Sequence, residues 1–149
     1  TRRSSDLTTG QVYAFGASSI SQLDSAYIQN IKNASQYINS IEKNNLAVLR
    51  GYSVTNEQKI IREIINSIMC NYFVDLNKIS KKYKVSTSDI YKIVKFKEDL
   101  LDDFISDGIL NFKSGIIAIN EKGRLFTRNI AMRFDPMIDQ KVGTYSNTV

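Results

Sequence analysis

Six apolar residues at Ile60, Ile61, Ile64, Ile65, Ile68 and Met69 repeat at helical spacing and bound what this chain can become. Such a stripe predicts an amphipathic helix whose face must be buried against other elements. Thr55 with Gln58 three positions later is a capping-box pattern that places the helix start. Downstream, Phe73–Leu76 reads as a short strand, Asn77–Tyr83 as a short helix and Ser88–Asp107 as one long helix. The long helix would bury Ile90, Ile93, Val94, Leu100, Leu101 and Phe104, and Gly108 stands where a left-handed cap belongs. Ile109–Phe112 and Ile116–Ile119 flank Lys113-Ser114-Gly115, a hairpin signal. Asn120 can cap a last helix over Arg124–Ile130, which Asp135-Pro136 stops. Helix, short strand, two helices, hairpin and helix is the order of a winged helix-turn-helix.

The first third reads differently. Gln11–Gly16 is a β-branched and aromatic run ended by glycine, which predicts a strand, and Ala17–Ser21 follows as a small-residue turn. Asn33 and Gln36 form a second capping-box pattern before Ala34, Tyr37, Ile38 and Ile41 on one helical face. Asn44-Asn45 ends that helix, and Arg50-Gly51 reads as a junction. The expected class is α+β, mainly α: residues 1–51 a strand–helix unit, 52–136 a winged-helix-like unit, 137–149 a flexible tail.

Among 149 residues there is no histidine and one cysteine, Cys70. A Ser-His-Asp or Cys-His nucleophile system cannot be built from this set, nor can a histidine metal site. One thiol cannot hold an iron–sulfur cluster or close an internal disulfide. Any enzyme containing this sequence keeps most of its chemistry elsewhere. The shortage of thiols suits a reducing compartment, so a cytoplasmic location is expected. No apolar stretch reaches the roughly 20 residues that span a bilayer, and no membrane partner is expected. A start at Thr1 suggests a segment of something longer.

With 20 Lys and Arg against 15 Asp and Glu, the net charge is +5, and a basic winged helix invites a nucleic-acid reading. Lys78, Lys81, Lys82, Lys84, Lys92, Lys95 and Lys97 could neutralise phosphates. Against it, Glu98, Asp99, Asp102, Asp103 and Asp107 would repel a phosphate backbone, and the hairpin tip offers only Lys113. A solvated lysine surface is the simpler account, and no nucleic-acid partner is expected.

Several segments in order resemble one family. They are Gly16-Ala17-Ser18-Ser19-Ile20-Ser21, Tyr27-Ile28-Gln29-Asn30, Arg50-Gly51 with Thr55, Ile61-Arg62-Glu63-Ile64-Ile65, Met69-Cys70-Asn71, Gly123-Arg124-Leu125 and Arg128-Asn129-Ile130-Ala131-Met132-Arg133-Phe134-Asp135. These are similar to pieces of the oxygen-independent coproporphyrinogen III oxidases, radical S-adenosylmethionine enzymes of haem biosynthesis. The resemblance implies a C-terminal fragment of such an enzyme, inactive alone. Residues 1–51 would then be the remnant of the catalytic barrel, and 52–136 a lid over the active site. The CxxxCxxC motif for a 4Fe-4S cluster and most of the S-adenosylmethionine site would lie in the N-terminal radical S-adenosylmethionine domain of the same polypeptide, its expected partner. The implied reaction decarboxylates two propionates of coproporphyrinogen III oxidatively to give protoporphyrinogen IX. The implied parent is a monomer, and the fragment, its apolar remnant uncovered, is expected to self-associate. Two alternatives stand beside this: a nucleic-acid or protein-interaction module, and a radical S-adenosylmethionine relative acting as a haem chaperone.

The resemblance places Ile20, with Gly16 and Ser18 of the preceding turn, at a pocket for a second S-adenosylmethionine. An isoleucine buried after a tight turn is the plain alternative. Gln29 and Asn30 could present amides to substrate from a loop, or could simply bond their own backbone. Arg62 and Arg128 matter because the implied substrate carries carboxylates that a guanidinium grips at two points. Pairing of Arg128 with Asp135 or a helix carbonyl is its structural alternative. Arg124 and Arg133 are weaker candidates, and Ala131 stands where the family has cysteine. Cys70 reads as a small buried hydrophobe.

Overall fold

A computed structural model describes residues 11–138, and its first part is a sheet that the sequence does not announce. Strands β1 (Ile20–Gln22), β2 (Ala26–Asn30) and β3 (Val48–Ser53) pair antiparallel in the order β1-β2-β3. Helix α1 (Ala34–Glu42) lies in the connection from β2 to β3, capped by the Asn33 side chain, which accepts from the Gln36 amide. The strand expected over Gln11–Gly16 is reduced to a single bridge between Val12 and Gln22. The Ala14 N–H bonds the Ser21 hydroxyl instead of a ladder carbonyl, and Gly16 and Ser18 both turn through positive φ, 100° and 63°. The turn therefore ends before Ile20, and Ile20 and Ser21 belong to β1. Arg50-Gly51, read as a junction, lies inside β3, so the link to the next helix is Val54.

Helix α2 (Asn56–Asn71) starts at the complete capping box of Thr55 and Gln58 and buries Ile60, Ile64 and Ile68. Ile61 and Ile65 are partly buried, and Met69 faces outward. Tyr72 turns the chain at φ 57° into β4 (Phe73–Asp75). The Asp75 carboxylate caps α3 (Leu76–Tyr83), and Ser86 with Asp89 forms a capping box at α4 (Thr87–Ile93).

The single helix expected over Ser88–Asp107 is broken. α4 ends at Ile93, Lys95 takes φ 50°, a 3₁₀ turn covers Glu98–Leu101, and α5 is only Asp102–Ser106. The break lets Phe96 point inward, where it is 5% exposed and stacks on Phe134. Gly108, at φ 65°, closes α5 as expected. The hairpin of β5 (Leu110–Lys113) and β6 (Ile116–Ile119) turns through Ser114 and Gly115 at φ 52° and 76°, the two left-handed residues of a type I′ turn. β4 adds to β6, giving the sheet order β4-β6-β5.

The final expected helix begins as a 3₁₀ turn over Lys122–Phe126 and becomes α6 (Thr127–Met132), with the Asn120 side-chain Oδ1 accepting from the Gly123 N–H. One apolar core runs from Ile60 to Phe134 and joins α2, α3, α4, both hairpin strands and α6. The first sheet stands outside that core and meets α2 through polar contacts. The expected tail falls largely on 139–149, outside the described residues.

Candidate functional site

Register brings the site residues together. Ile20 pairs with Gln29 and Gln29 with Arg50, while one step along Gln22 pairs with Tyr27 and Tyr27 with Tyr52. Alternation puts these two cross-strand rows on one face of the sheet. Ile20, Tyr27, Gln29, Arg50, Gly51 and Tyr52 line a half-open hollow of about 290 Å³ on that face. Gln29 was expected in a loop, but it sits in β2, where strand geometry fixes it better than a loop would.

The polar groups of the hollow are ordered by one another. The Gln29 Nε2 donates to the Ser18 carbonyl at 3.3 Å, and its Oε1 accepts from the Arg50 Nε at 2.8 Å. On the opposite rim, Gln58 of α2 donates to the Tyr52 hydroxyl at 2.6 Å, and the Arg62 guanidinium lies 5.5 Å from the Tyr27 ring centre. The walls are thus an isoleucine and two phenols with one cation. No carboxylate or thiol lines the hollow, so it is suited to binding rather than to proton transfer or nucleophilic attack.

The other residues singled out from the sequence take structural places. Asn30 donates from Nδ2 to the carbonyls of Gly16 (3.0 Å) and Ala14 (3.3 Å), and the Tyr37 hydroxyl accepts from the Gly16 N–H at 3.0 Å. Asn30 therefore holds the turn shut and uses its amide on backbone. Gly16 and Ser18 stand behind Gln29, and neither lines the hollow. Arg62 donates to the carbonyls of Leu23 (3.0 Å) and Asp24 (2.7 Å), and beside it Lys59 pairs with Asp24 at 2.8 Å. The hydrogen bond from Lys59, followed by its charge, holds the Asp24 carboxyl below the usual carboxylate range.

Arg128 is exposed on α6, far along the chain from the hollow, and makes neither the Asp135 pair nor a helix-carbonyl bond among the described residues. Arg124 lies over the Tyr72 ring at 4.9 Å and Arg133 over Phe104 at 5.7 Å. Cys70 is half-buried and free. Tyr27, Arg50, Gly51 and Tyr52 are the lining residues that sequence reasoning missed as a site. Arg50 and Tyr27 lie within segments that carry the family resemblance, but only strand pairing reveals that they face one another.

No group of three or more His, Cys, Asp or Glu side chains able to hold a metal occurs among the described residues. Cys70 alone cannot hold a 4Fe-4S cluster, so the described residues do not fit that group. No helix described is long and apolar enough to cross a membrane.

No protein-family profile matches the chain. Curated proteins named oxygen-independent coproporphyrinogen III oxidase are similar to most of it. The one from Escherichia coli K12 is 34% identical over 128 residues, 85% of this chain and 27% of that protein. The Bradyrhizobium diazoefficiens protein is 30% identical over 135 residues, 91% of this chain and 29% of its own length. The Thermostichus vulcanus protein is 31% identical over 147 residues, 96% of this chain and 44% of its own. Among solved structures, coproporphyrinogen III oxidase from Escherichia coli, described as a radical SAM enzyme, superposes with a TM-score of 0.71 at 30% identity. That likeness covers 85% of this chain and 29% of the solved one. The resemblance read from the sequence pieces is therefore a likeness in sequence and fold over most of this chain. The chain spans under a third of the Escherichia coli protein's length.

Proposed function

We propose that this chain is the C-terminal part of an oxygen-independent coproporphyrinogen III oxidase and that it covers the active site of a catalytic domain lying upstream. The supporting observation is likeness to an oxidase over 85% of this chain but only 27% of that relative, at 34% identity. In this reading the sheet β1–β3 with α1 is the end of the catalytic domain, and α2 to α6 form a winged-helix-like lid up to about residue 136. The sheet order β4-β6-β5 and the α2–β4–α3–α4 succession support the winged-helix-like description of that part.

The cluster and S-adenosylmethionine supply radical chemistry to enzymes of this kind, and the cluster ligands belong to the upstream domain. This chain's own share is binding and shielding. Ile20, Tyr27 and Tyr52 offer apolar and aromatic walls that keep water from a bound ligand, and Gln29 and Arg50 offer polar contacts at one end. Coproporphyrinogen III is the substrate in this reading, Ile20 faces the second S-adenosylmethionine, and the setting is the cytoplasm of the cell.

The competing nucleic-acid reading has less to rest on. Lys82 is engaged by Glu63 at 2.6 Å and Lys92 lies 3.7 Å from Asp89, while Glu98, Asp99, Asp102 and Asp103 are exposed just beyond α4. The test is preparative. The intact protein, purified without air, should contain about four iron and four sulfide per chain. It should convert coproporphyrinogen III when given S-adenosylmethionine and a reductant. Residues 1–149 alone should contain no iron and convert nothing. An intact protein free of iron overturns the proposal.

A further inference from the structure

The polar end of the hollow carries more than its shape suggests, because Arg50 is oriented but not neutralised. Its Nε donates to the amide oxygen of Gln29 at 2.8 Å, a neutral acceptor, and no carboxylate lies within ion-pair distance of it among the described residues. The direction of the Gln29 amide is fixed from behind, since its Nε2 is spent on the Ser18 carbonyl. That carbonyl is in turn set by the left-handed turn at Ser18 and the Ser18 N–H bond to Ile31 at 2.9 Å. A relay of Ser18, Gln29 and Arg50 thus holds the side edge of the guanidinium and leaves its two terminal amines available.

Those amines form the end-on fork of a guanidinium, two parallel N–H groups whose spacing matches the oxygens of one carboxylate. The side-on fork is closed because Nε is occupied. Beside the fork stand Ile20, Tyr27 and Tyr52 as an apolar wall. We infer that Arg50 is the anchor for a ligand carboxylate in this hollow, and that Gln29 is the positioning residue that aims it. The ligand class is a carboxylate attached to an apolar or aromatic body. This rests on the function proposed above and deepens it. Arg62, by contrast, spends two donors on the Leu23 and Asp24 carbonyls.

Two ligands of the proposed reaction have that chemistry, a propionate of the tetrapyrrole and the amino-acid end of S-adenosylmethionine. Equilibrium binding to the intact, anaerobically purified protein separates them, with coproporphyrin III as one probe and S-adenosylhomocysteine as the other. Each is paired with a partner lacking the carboxylate: coproporphyrin tetramethyl ester and methylthioadenosine. Arg50→Gln is expected to weaken one of the two acids about 10- to 100-fold while leaving its carboxylate-free partner within twofold. Arg50→Lys keeps the charge but loses the fork, and should fall nearer to Arg50→Gln than to the unmodified protein. Gln29→Glu leaves Arg50 in place but neutralises it, and should weaken the same acid by a similar factor. That variant separates loss of the fork from loss of the fold. Whichever acid responds identifies the source of the carboxylate. Equal binding by the unmodified protein and Arg50→Gln overturns the inference, as does equal weakening of an acid and its carboxylate-free partner. An iron-containing protein with either result sinks this inference alone. A protein that binds neither acid sinks it whatever its iron content, and a protein without iron sinks the proposed function separately.

Discussion

Phe96 stacks on Phe134 with ring centroids 4.8 Å apart and planes 17° from parallel, 38 positions away along the chain. The same ring meets Tyr91 and Phe112 edge-on at 5.3 and 5.8 Å, so the turn after α4 is pinned by an aromatic cluster. Phe134 is 0% exposed, and its replacement by alanine should cost about 3–5 kcal/mol in urea unfolding. Phe73, 42% exposed on β4, should cost about 1 kcal/mol or less on the same change. Equal costs at the two positions would refute this account of the core.

Gly123 should be intolerant of any side chain. A Cβ built there would stand 2.6 Å from the Ile119 Cγ2 and 2.7 Å from the Ile109 Cγ2, and closer still to the Ile109 carbonyl oxygen. Backbone cannot retreat cheaply, so Gly123→Ala is expected to destabilise by about 2–3 kcal/mol, at the upper end for overpacking. Gly108→Ala meets nothing within 4 Å and costs only the strain of φ 65°, about 1 kcal/mol. Comparing the two urea midpoints at unchanged slope checks the difference.

How far the sequence speaks depends on whether a signal is local. The stripe from Ile60 to Ile68, the Thr55–Gln58 box, Gly108 and the Ser114-Gly115 turn each write their conformation into neighbouring residues, and each stands as read. The sheet β1–β3 has no such signal. Its strands are three to six residues long and none of their residues is fully buried, so no alternation marks an inner face. The helical periodicity of Ile90, Ile93 and Val94 runs on into Leu100 and Leu101, and only the tertiary stacking of Phe96 breaks it. The candidate site was half legible. Ile20, Gln29 and Arg50 all lie in segments that carry the family resemblance, but Arg50 becomes a site residue only through its pairing with Gln29, 21 positions earlier.

Arg62 joins the outlying sheet to the helical body, and its loss should be felt at that seam. Removing two charge-assisted bonds to backbone carbonyls is expected to cost about 1–2 kcal/mol, discounted for partial exposure. Hydrogen exchange locates the effect. In Arg62→Ala the amides of Ser21–Asn30 should exchange much faster, while those of Ile64 and Ile68 should speed up only as far as the loss of global stability requires. Uniform acceleration across both regions would contradict a local clamp.

Alkaline pH should loosen the contact between α2 and α3. Burial first, and the Glu63 carboxylate that its hydroxyl meets at 2.8 Å second, hold the Tyr83 phenol well above its usual pKa. The folded state therefore favours the protonated phenol. Its contribution is complete below about pH 10, where an unfolded tyrosine ionises, and is lost as pH rises beyond that. Tyr83→Phe should flatten the alkaline limb of the stability profile between about pH 9.5 and 11. Parallel limbs in the two proteins would remove Tyr83 as the source.

Exposed apolar side chains gather in the outlying sheet and its helix. Phe15 and Leu46 are each 88% exposed, with Val12, Ile41 and Leu49 close to half exposed. Tyr37 of α1 is different, being half-buried with its hydroxyl accepting from the Gly16 N–H. Large apolar side chains left this bare are candidates for contact with another protein surface. Residues 1–149 in isolation should therefore self-associate at about 50–100 µM in sedimentation velocity. Burying one such side chain contributes about 1.5–3 kcal/mol, so Phe15→Ser with Leu46→Ser should raise the dissociation constant by at least about tenfold. If, as proposed, this surface packs against an upstream domain in the intact protein, the same double variant there should leave it monomeric and lower its thermal stability. A monomeric isolated chain, unchanged by both substitutions, would overturn the expected self-association.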